Sequence, residues 1–513
     1  MHNNKIKIWL PIALSICMII GMWVGYKLKD NIKSPQRFFD MQQANTLQEV
    51  VALLSKKYVD SLPIDSVQTR AINNVLHQLD PYSSYIPANN LQEANAAMVG
   101  SFEGIGIEFQ IIRDTVNVLQ VLADGPAALA GVQIGDKLIQ VNNTLITGYN
   151  VTPEKIKQQF HGDKGSMLHI SLLRNIQPLT LDIKRDAIPA YTIDAAYKLD
   201  SLTGYIRINR FAESTYVEFM QALEKLLHNN TKHLVLDLRG NGGGLLSQAV
   251  DIADEFLADE KLVVYAQGAT TPRKDYTCKR NGFFEKGKLV VLVNEATASA
   301  AEILAGALQD WDRATIIGNA TFGKGLVQEQ FTLSNGAALL LTVARYYLPT
   351  GRNIQQYYVT GYNTKPNDTA HRPIYKTPAG RILYGAGGIT PNISIAADTM
   401  WNSAAAKQLI EKNIITKYAY EYFMANRASI IAHKSAIDFA HKYSLPAATW
   451  SNFVGYVVQN KIEVSAISTA LQVEILHRIK ALLARHVWGN EGFYEVYNML
   501  DPALLKAIYT IKN

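Results

Sequence analysis

Cysteine is almost missing from this chain of 513 residues: only Cys17 and Cys278 occur. Cys17 falls in an apolar run near the N-terminus. A structural disulfide between the two is therefore not expected, and cysteine usage says nothing about redox compartment. The chain has no cysteine cluster and no H-E-x-x-H pair, the usual carriers of a zinc centre, so no metal or cofactor is expected. Charge is also sparse, with 18% charged residues against 48% apolar and a formal net charge of +6. No long Lys/Arg run marks a nucleic-acid surface. Internal repeats and low-complexity linkers are lacking. So is the G-x-S-x-G elbow, and none of the 11 histidines sits in a recognisable triad motif. Beyond the N-terminus, no further run is long and apolar enough to span a bilayer.

What is present falls into five segments. Residues 1–29 hold an apolar run from Ile8 to Tyr26, flanked by Lys5 and Lys7 and by Lys27 and Lys29. About 20 apolar residues cross a bilayer. A cleaved leader usually has a shorter core and a small-residue cleavage site. An uncleaved signal anchor is the favoured reading, with a cleaved leader as the alternative. Residues 30–99 read as helical, with Leu47, Val50, Val51 and Leu54 at one helical spacing and Ile72, Val75, Leu76 and Leu79 at another. Residues 100–187 are rich in strands and turn glycines. Residues 188–395 alternate strands and helices. Within them, Leu289–Val293 is continuously apolar, as in a strand buried on both faces. Residues 396–513 are mainly helical, with a stripe of Leu471, Ile475, Ile479 and Leu482.

Three features in the α/β segment carry chemistry. "GNATFGKG", Gly318–Gly325, nearly matches the phosphate-loop motif G-x-x-x-x-G-K-[ST], but Gly325 stands where the hydroxyl should be. The following "GLVQEQFTL" reads as a strand, whereas a phosphate loop opens a helix at this point. Ser299, in "NEATASAAEIL", sits where a strand turns into a helix. Free helix N-terminal amides surround it, and small residues leave room for a substrate backbone. An ordinary N-cap serine fits the same position. "RGNGGG", Arg239–Gly244, follows another strand and can present amides to an oxyanion, or can be a tight turn. Open α/β sheets place their sites at such strand ends. A serine there needs a base, and a buried neutral lysine can be one.

The ordered set "LDLRGNGGG", "LVNEATASAAEILAGALQD" and "RATIIGNATFGKGLVQ" resembles the carboxyl-terminal processing peptidases, or tail-specific proteases. "LDPYSSY", "FEGIGIEF", "RYYLPTGRNIQ" and "GAGGITPNISI" extend the resemblance over about residues 45–395. It implies a multidomain α/β protein: a crotonase-like protease core with an inserted β-rich PDZ domain, an N-terminal helical segment and a C-terminal helical region. By position it implies Ser299 as nucleophile and Lys324 as general base, 324 − 299 = 25 residues on. It implies Gln328 as the residue orienting the lysine. The oxyanion donors are expected to be the amide of Ala300 and that of Gly243 or Gly244. Glu302 and Asp310 are family-like positions expected to be structural. Ala301 departs from the family, many members having Ser there. In the PDZ-like module, Gly104, Ile105, Gly106 and Ile107 are expected to receive a substrate's terminal carboxylate. The following residues would pair with its tail as an added strand.

The expected activity is serine endopeptidase cleavage of exported proteins at or near their C-termini. Expected partners are proteins or peptides with accessible C-terminal tails and the inner membrane, with a homo-oligomer as a further possibility and no nucleic acid. The expected location is the bacterial cell envelope, anchored in the inner membrane with the catalytic part in the periplasm, or soluble there after signal cleavage. Three rivals stand beside this reading: a silent PDZ adaptor, a nucleotide-dependent enzyme using Gly318–Lys324, and an acyl-transfer or isomerase enzyme on a related scaffold.

Overall fold

The structure is a computed structural model and describes residues 15, 17–18, 20–23, 45–148, 151–358, 372–396, 399–463 and 467–513. The apolar segment expected over residues 1–29 lies largely outside the described residues. Among those described, no helix is long and apolar enough to cross a membrane. The chain divides into two compact units, Met1–Val75 and Leu76–Asn513. The first carries helix α1 (Asn45–Lys57) and most of α2 (Ile64–His77). Lysines in the last turn of α1 and Asp65 in the first turn of α2 suit the helix dipoles.

The second unit opens with a short strand β1 (Ser84–Ile86) and helix α3 (Ala88–Val99). The chain then enters a β-rich module through β2 (Ser101–Gly104) and leaves it through β9 (Asp186–Pro189). These two strands pair antiparallel, from Ser101↔Pro189 to Gly104↔Asp186, and form a neck. Between them lie β3 (Ile107–Ile112), β4 (Thr115–Val121), helix α4 (Pro126–Leu129), β5 (Lys137–Val141), β6 (Thr144–Leu145), helix α5 (Pro153–Phe160), β7 (Met167–Arg174) and β8 (Gln177–Lys184). The sheet order is β3-β4-β5-β7-β8, with β6 on β5, so β3 is an edge strand. Thr152 caps α5 and Pro153 starts it, a pairing that fixes its N-terminus. Val116, Val118, Leu138, Ile156, Leu168 and Ile170 form the module's core.

The α/β core follows: β10 (Ile193–Lys198), β11 (Thr203–Ile208), helix α6 (Thr215–His228), β12 (His233–Asp237), helix α7 (Leu246–Asp254), β13 (Leu262–Gln267), β14 (Lys274–Thr277), β15 (Leu289–Val293), helix α8 (Ala300–Asp310), β16 (Thr315–Gly318), β17 (Leu326–Thr332), β18 (Ala338–Tyr347), the hairpin β19 (Ile374–Lys376) and β20 (Ile382–Tyr384), and β21 (Ile393–Ser394). The central sheet runs β10-β11-β12-β15-β16-β21 and is parallel from β11 to β21. A second sheet runs β1-β18-β13-β14, with β17 also on β18.

The C-terminal segment forms helices α9 (Ala404–Glu411), α10 (Ile414–Ile431), α11 (Ala436–Lys442), α12 (Ala448–Gln459), α13 (Thr469–Tyr497) and α14 (Pro502–Lys512). The stripe Leu471, Ile475, Ile479 and Leu482 lies in the core of this bundle. Side chains of a strand alternate between faces, and the central sheet is buried on both. Leu234, Leu236, Val291 and Val293 meet helices α6, α7 and α8. Val235, Val290, Leu292 and Ile317 meet Ala503, Leu504, Ala507 and Ile511 of α14. The helical C-terminus is thus a layer of the core.

Candidate active site

The central sheet places the glycine loop and the serine turn side by side, because β12 and β15 are adjacent parallel strands. Three hydrogen bonds lock the two strand ends together. Ala298 N donates to Asn241 O at 2.9 Å, Gly240 N to Asn294 Oδ1 at 2.9 Å, and Thr297 Oγ1 to Leu238 O at 2.9 Å. Gly243 has φ +99°, and a Cβ there would lie 2.7 Å from Ser299 Cβ and 3.1 Å from Ala300 N. Only glycine lets the loop approach the serine this closely.

Ser299 is the N-cap of α8, with φ +56° and ψ −121°. A non-glycine residue in that region carries backbone strain, which persists only where the surroundings enforce it. Here the enforcing group is Glu302, fully buried at 0% exposure. Its Oε2 accepts Ser299 N at 2.9 Å and Lys324 N at 2.8 Å. Its Oε1 accepts Gly323 N at 2.7 Å and also the Thr321 hydroxyl. One carboxylate therefore holds the backbone nitrogens of Ser299 and Lys324 within two hydrogen-bond lengths of each other. The 318–325 loop is fixed further by Phe322 N to Thr297 O at 3.0 Å.

This arrangement answers the phosphate-loop question. No helix opens at Lys324; β17 follows, as the apolar pattern suggests. The amides of Gly323 and Lys324 are engaged by Glu302, and that of Gly325 donates to Gln355 Oε1 at 2.8 Å. The three amides at the lysine are thus already engaged and are not offered to a phosphate.

The Lys324 side chain is half-buried. Its Nζ donates to Gln328 Oε1 at 2.7 Å. Burial holds its amine below the ordinary lysine range, against the opposing charges of Asp80 and Glu302. Gln328 reaches it through a bulge between Val327 and Gln328 in the β17–β18 ladder. Such bulges re-aim side chains beside active sites. Among the described residues, no hydrogen bond joins Ser299 to Lys324.

Of the three expected oxyanion donors, Gly243 N donates to Asn241 Oδ1 at 2.8 Å. The amides of Ala300 and Gly244 have no partner among the described residues. The structure does not put Asp310 at the reacting groups: its carboxylate faces the fully buried Arg352 at 2.7 Å and accepts from Thr350 at 2.7 and 3.0 Å. In the β-rich module, the carbonyls of Ile105 and Gly106 accept Ala127 N and Leu122 N, each at 2.9 Å. Their amides have no partner among the described residues. Gly104, Ile105 and Gly106 are buried, and Ile107 opens the edge strand β3.

Sequence reasoning missed two features. One is the double grip of Glu302, whose only sequence signal is its place three residues after an N-cap, a capping-box spacing. The other is Tyr82, whose ring lies against Lys324. Among the described residues, no group of three or more His, Cys, Asp or Glu side chains is placed to hold a metal ion.

Residues 202–362 match peptidase family S41, residues 104–184 match the PDZ domain, and residues 406–489 match a family of unknown function, DUF8443. The chain is 36% identical over 310 residues to a carboxy-terminal-processing protease of Bartonella bacilliformis, covering 59% of this chain and 69% of that protein. It is 29% identical over 383 residues to a probable CtpA-like serine protease of Staphylococcus epidermidis, covering 73% and 75%. Among solved structures it is similar to a photosystem II D1 C-terminal processing protease, at 26% identity and a TM-score of 0.37, covering 70% of this chain and 89% of that one. The chain belongs to peptidase family S41, the carboxy-terminal processing serine proteases, and carries a PDZ domain.

Proposed function

We propose that Ser299 is the nucleophile and Lys324 the general base of a peptidase that trims exported proteins from their C-terminal tails. The observation that carries this reading is the shared Glu302 oxygen, which brings both residues' backbones together beside the glycine loop. Neutral Lys324 takes the Ser299 proton as the oxygen attacks a peptide carbonyl. The oxyanion is received by the amides of Ala300 and Gly244, the two expected donors that have no partner among the described residues. The protonated lysine returns its proton to the leaving amine, and water then hydrolyses the acyl-enzyme. Gln328 holds the amine through the cycle. Lysine serves here and arginine does not, because a guanidinium stays protonated.

The PDZ domain supplies tail selection. Its Ile105 and Gly106 amides suit a terminal carboxylate, and β3 offers an edge for the preceding residues. We place the enzyme in the bacterial envelope, held by its N-terminal apolar segment, with the catalytic part outside the inner membrane. Support comes from the lysine-flanked run Ile8–Tyr26 and from the bacterial relatives. The five-segment division belongs to the same proposal, supported by the β2–β9 neck.

The test uses the purified chain with an unstructured protein or an apolar-tailed peptide. Ser299→Ala and Lys324→Ala are expected to be folded and inactive. A silent adaptor would show no Ser299-dependent proteolysis in the wild type. Full activity in Lys324→Arg would remove the general-base role.

A further inference from the structure

Lys324 Nζ lies 4.9 Å from the centre of the Tyr82 ring, within the range of a cation–π contact. The two residues are far apart in the chain, and specific bonding brings them together. Asp80 Oδ1 accepts Tyr82 N at 2.8 Å and Ser83 N at 2.7 Å, and Oδ2 accepts Ser83 Oγ at 2.7 Å. This tight turn feeds β1, which pairs with β18 from Ser84↔Leu340 to Ile86↔Ala338. Ser83 Oγ also accepts Thr342 N at 3.1 Å, and Thr342 is the residue opposite Gln328. The segment before β1 and the strand that follows the lysine are thus registered on the same β18. The Gln355 side chain, which influences the Tyr82 hydroxyl, also holds Gly325 N at 2.8 Å. The Tyr358 ring meets Tyr82 edge-on at 6.4 Å. The ring is fixed by its backbone and its edge.

The stereochemistry of an amine gives this placement a consequence. A neutral lysine nitrogen has two N–H bonds and one lone pair. Gln328 Oε1 accepts one N–H. The Tyr82 face lies on another side of the nitrogen, 4.9 Å from the ring centre. The amide oxygen and the ring face together restrict the directions left to the lone pair. Resting on the Ser299–Lys324 reading, we propose that Tyr82 is a positioning residue for the base: its ring face and Gln328 together orient the Lys324 amine so that its lone pair meets the Ser299 hydroxyl. In this role Tyr82 acts through Lys324 and not on the bond being broken.

A purely packing role predicts that any apolar side chain of similar size will serve. A positioning role requires the ring. The experiment is a kcat and KM profile against pH for the full chain, with one tailed peptide, in wild type, Tyr82→Phe, Tyr82→Leu and Tyr82→Met, with thermal melts for each and Ser299→Ala as control. Tyr82→Phe keeps the face and is expected within about threefold of wild type, with the same pH midpoint. Tyr82→Leu and Tyr82→Met keep the apolar cover and lose the face. Each is expected to lower limiting kcat about tenfold, leave KM within about twofold, and move the midpoint down by about half a unit to one unit, because the ammonium form loses its ring partner. Methionine adapts to irregular space, so it tests the point if leucine disturbs folding. Wild-type kcat and midpoint in folded Leu or Met variants, or a Phe variant as impaired as they are, would overturn the role of Tyr82 alone. Activity surviving in Ser299→Ala would instead overturn the dyad on which the proposal rests.

Discussion

At the scale of single residues, Glu302 joins the two segments that carry the proposed dyad without belonging to it. Its two oxygens receive amides from both segments, so exchanging one oxygen for an NH2 sets a donor against donors. Glu302→Gln is expected to lower kcat by about a hundredfold and stability by about 2–4 kcal/mol, with KM little changed, as read from steady-state kinetics and denaturant melts. The structural reading of Asp310 has its own test. Asp310→Ala leaves Arg352 buried without a counter-charge and is expected to cost about 3–5 kcal/mol. Equal stability of that variant would contradict the description of the pair. For Lys324, burial favours the neutral amine. The rate is therefore expected to rise with pH and to reach its plateau below the ordinary lysine value of about 10.4. Ser299 and Lys324 stood out as candidates in the sequence because both sit in compact motifs. Tyr82 was not, since its contact depends on β1 and β17 sharing β18 and leaves no local spacing to find.

At the scale of elements, the C-terminal helices reach the glycine loop. Asp501 caps α14 through Ala503 N and Leu504 N at 2.8 and 3.1 Å, and it also meets Arg239 at 2.6 Å. Arg239 begins the glycine loop and pairs with Asp237 at the end of β12 at 2.6 Å. Burial alone would raise the Asp237 carboxyl, yet Arg239 and Arg207 override it and hold it well below the usual carboxylate range. Asp501→Ala removes both a cap and an ion pair. It is expected to cost about 1–3 kcal/mol and to lower activity severalfold through a loosened loop. The same bundle grips the PDZ domain. Arg485 binds Glu108 with both nitrogens at 3.0 and 2.8 Å, Gln120 Nε2 donates to Arg485 O at 2.7 Å, and His486 Nδ1 meets Leu119 O at 3.2 Å. Burial pushes the His486 imidazole down to about 4. Arg485 pushes the same way, while the Leu119 carbonyl and Glu108 oppose it. A folded-state value below the unfolded one means that stability is present above about pH 6.5 and is lost as pH falls toward 4. The loss is expected to be on the order of 2–3 kcal/mol. His486→Phe should flatten that part of the pH–stability curve; an unchanged slope would show that this junction does not titrate. Helical periodicity exposed the stripe inside this bundle. It gave no sign that the bundle's other surfaces meet the PDZ domain and the core sheet, because side-chain spacing records burial and not the partner.

At the scale of the whole molecule, one central sheet serves both stability and chemistry. Its strands are apolar on both faces because helices α6, α7 and α8 cover one and α14 covers the other. The unbroken run Leu289–Val293 announced the double burial, but the second cover lies at the far end of the chain. Truncation after residue 500 would expose Val235, Val290, Leu292 and Ile317, and is expected to give aggregated protein in a sedimentation assay. The PDZ reading has a matching test. If loop amides hold the tail's carboxylate, amidating a peptide's C-terminus should raise KM about 10- to 100-fold with little change in kcat.

The central claim is that Ser299 is made nucleophilic by Lys324. A fluorophosphonate reagent followed by peptide mass analysis measures this directly. Labelling is expected on Ser299 in the wild type, none at that position in Ser299→Ala, and at least a hundredfold slower labelling of Ser299 in folded Lys324→Ala. Labelling of another residue in the wild type, or an unchanged rate in Lys324→Ala, would contradict the account.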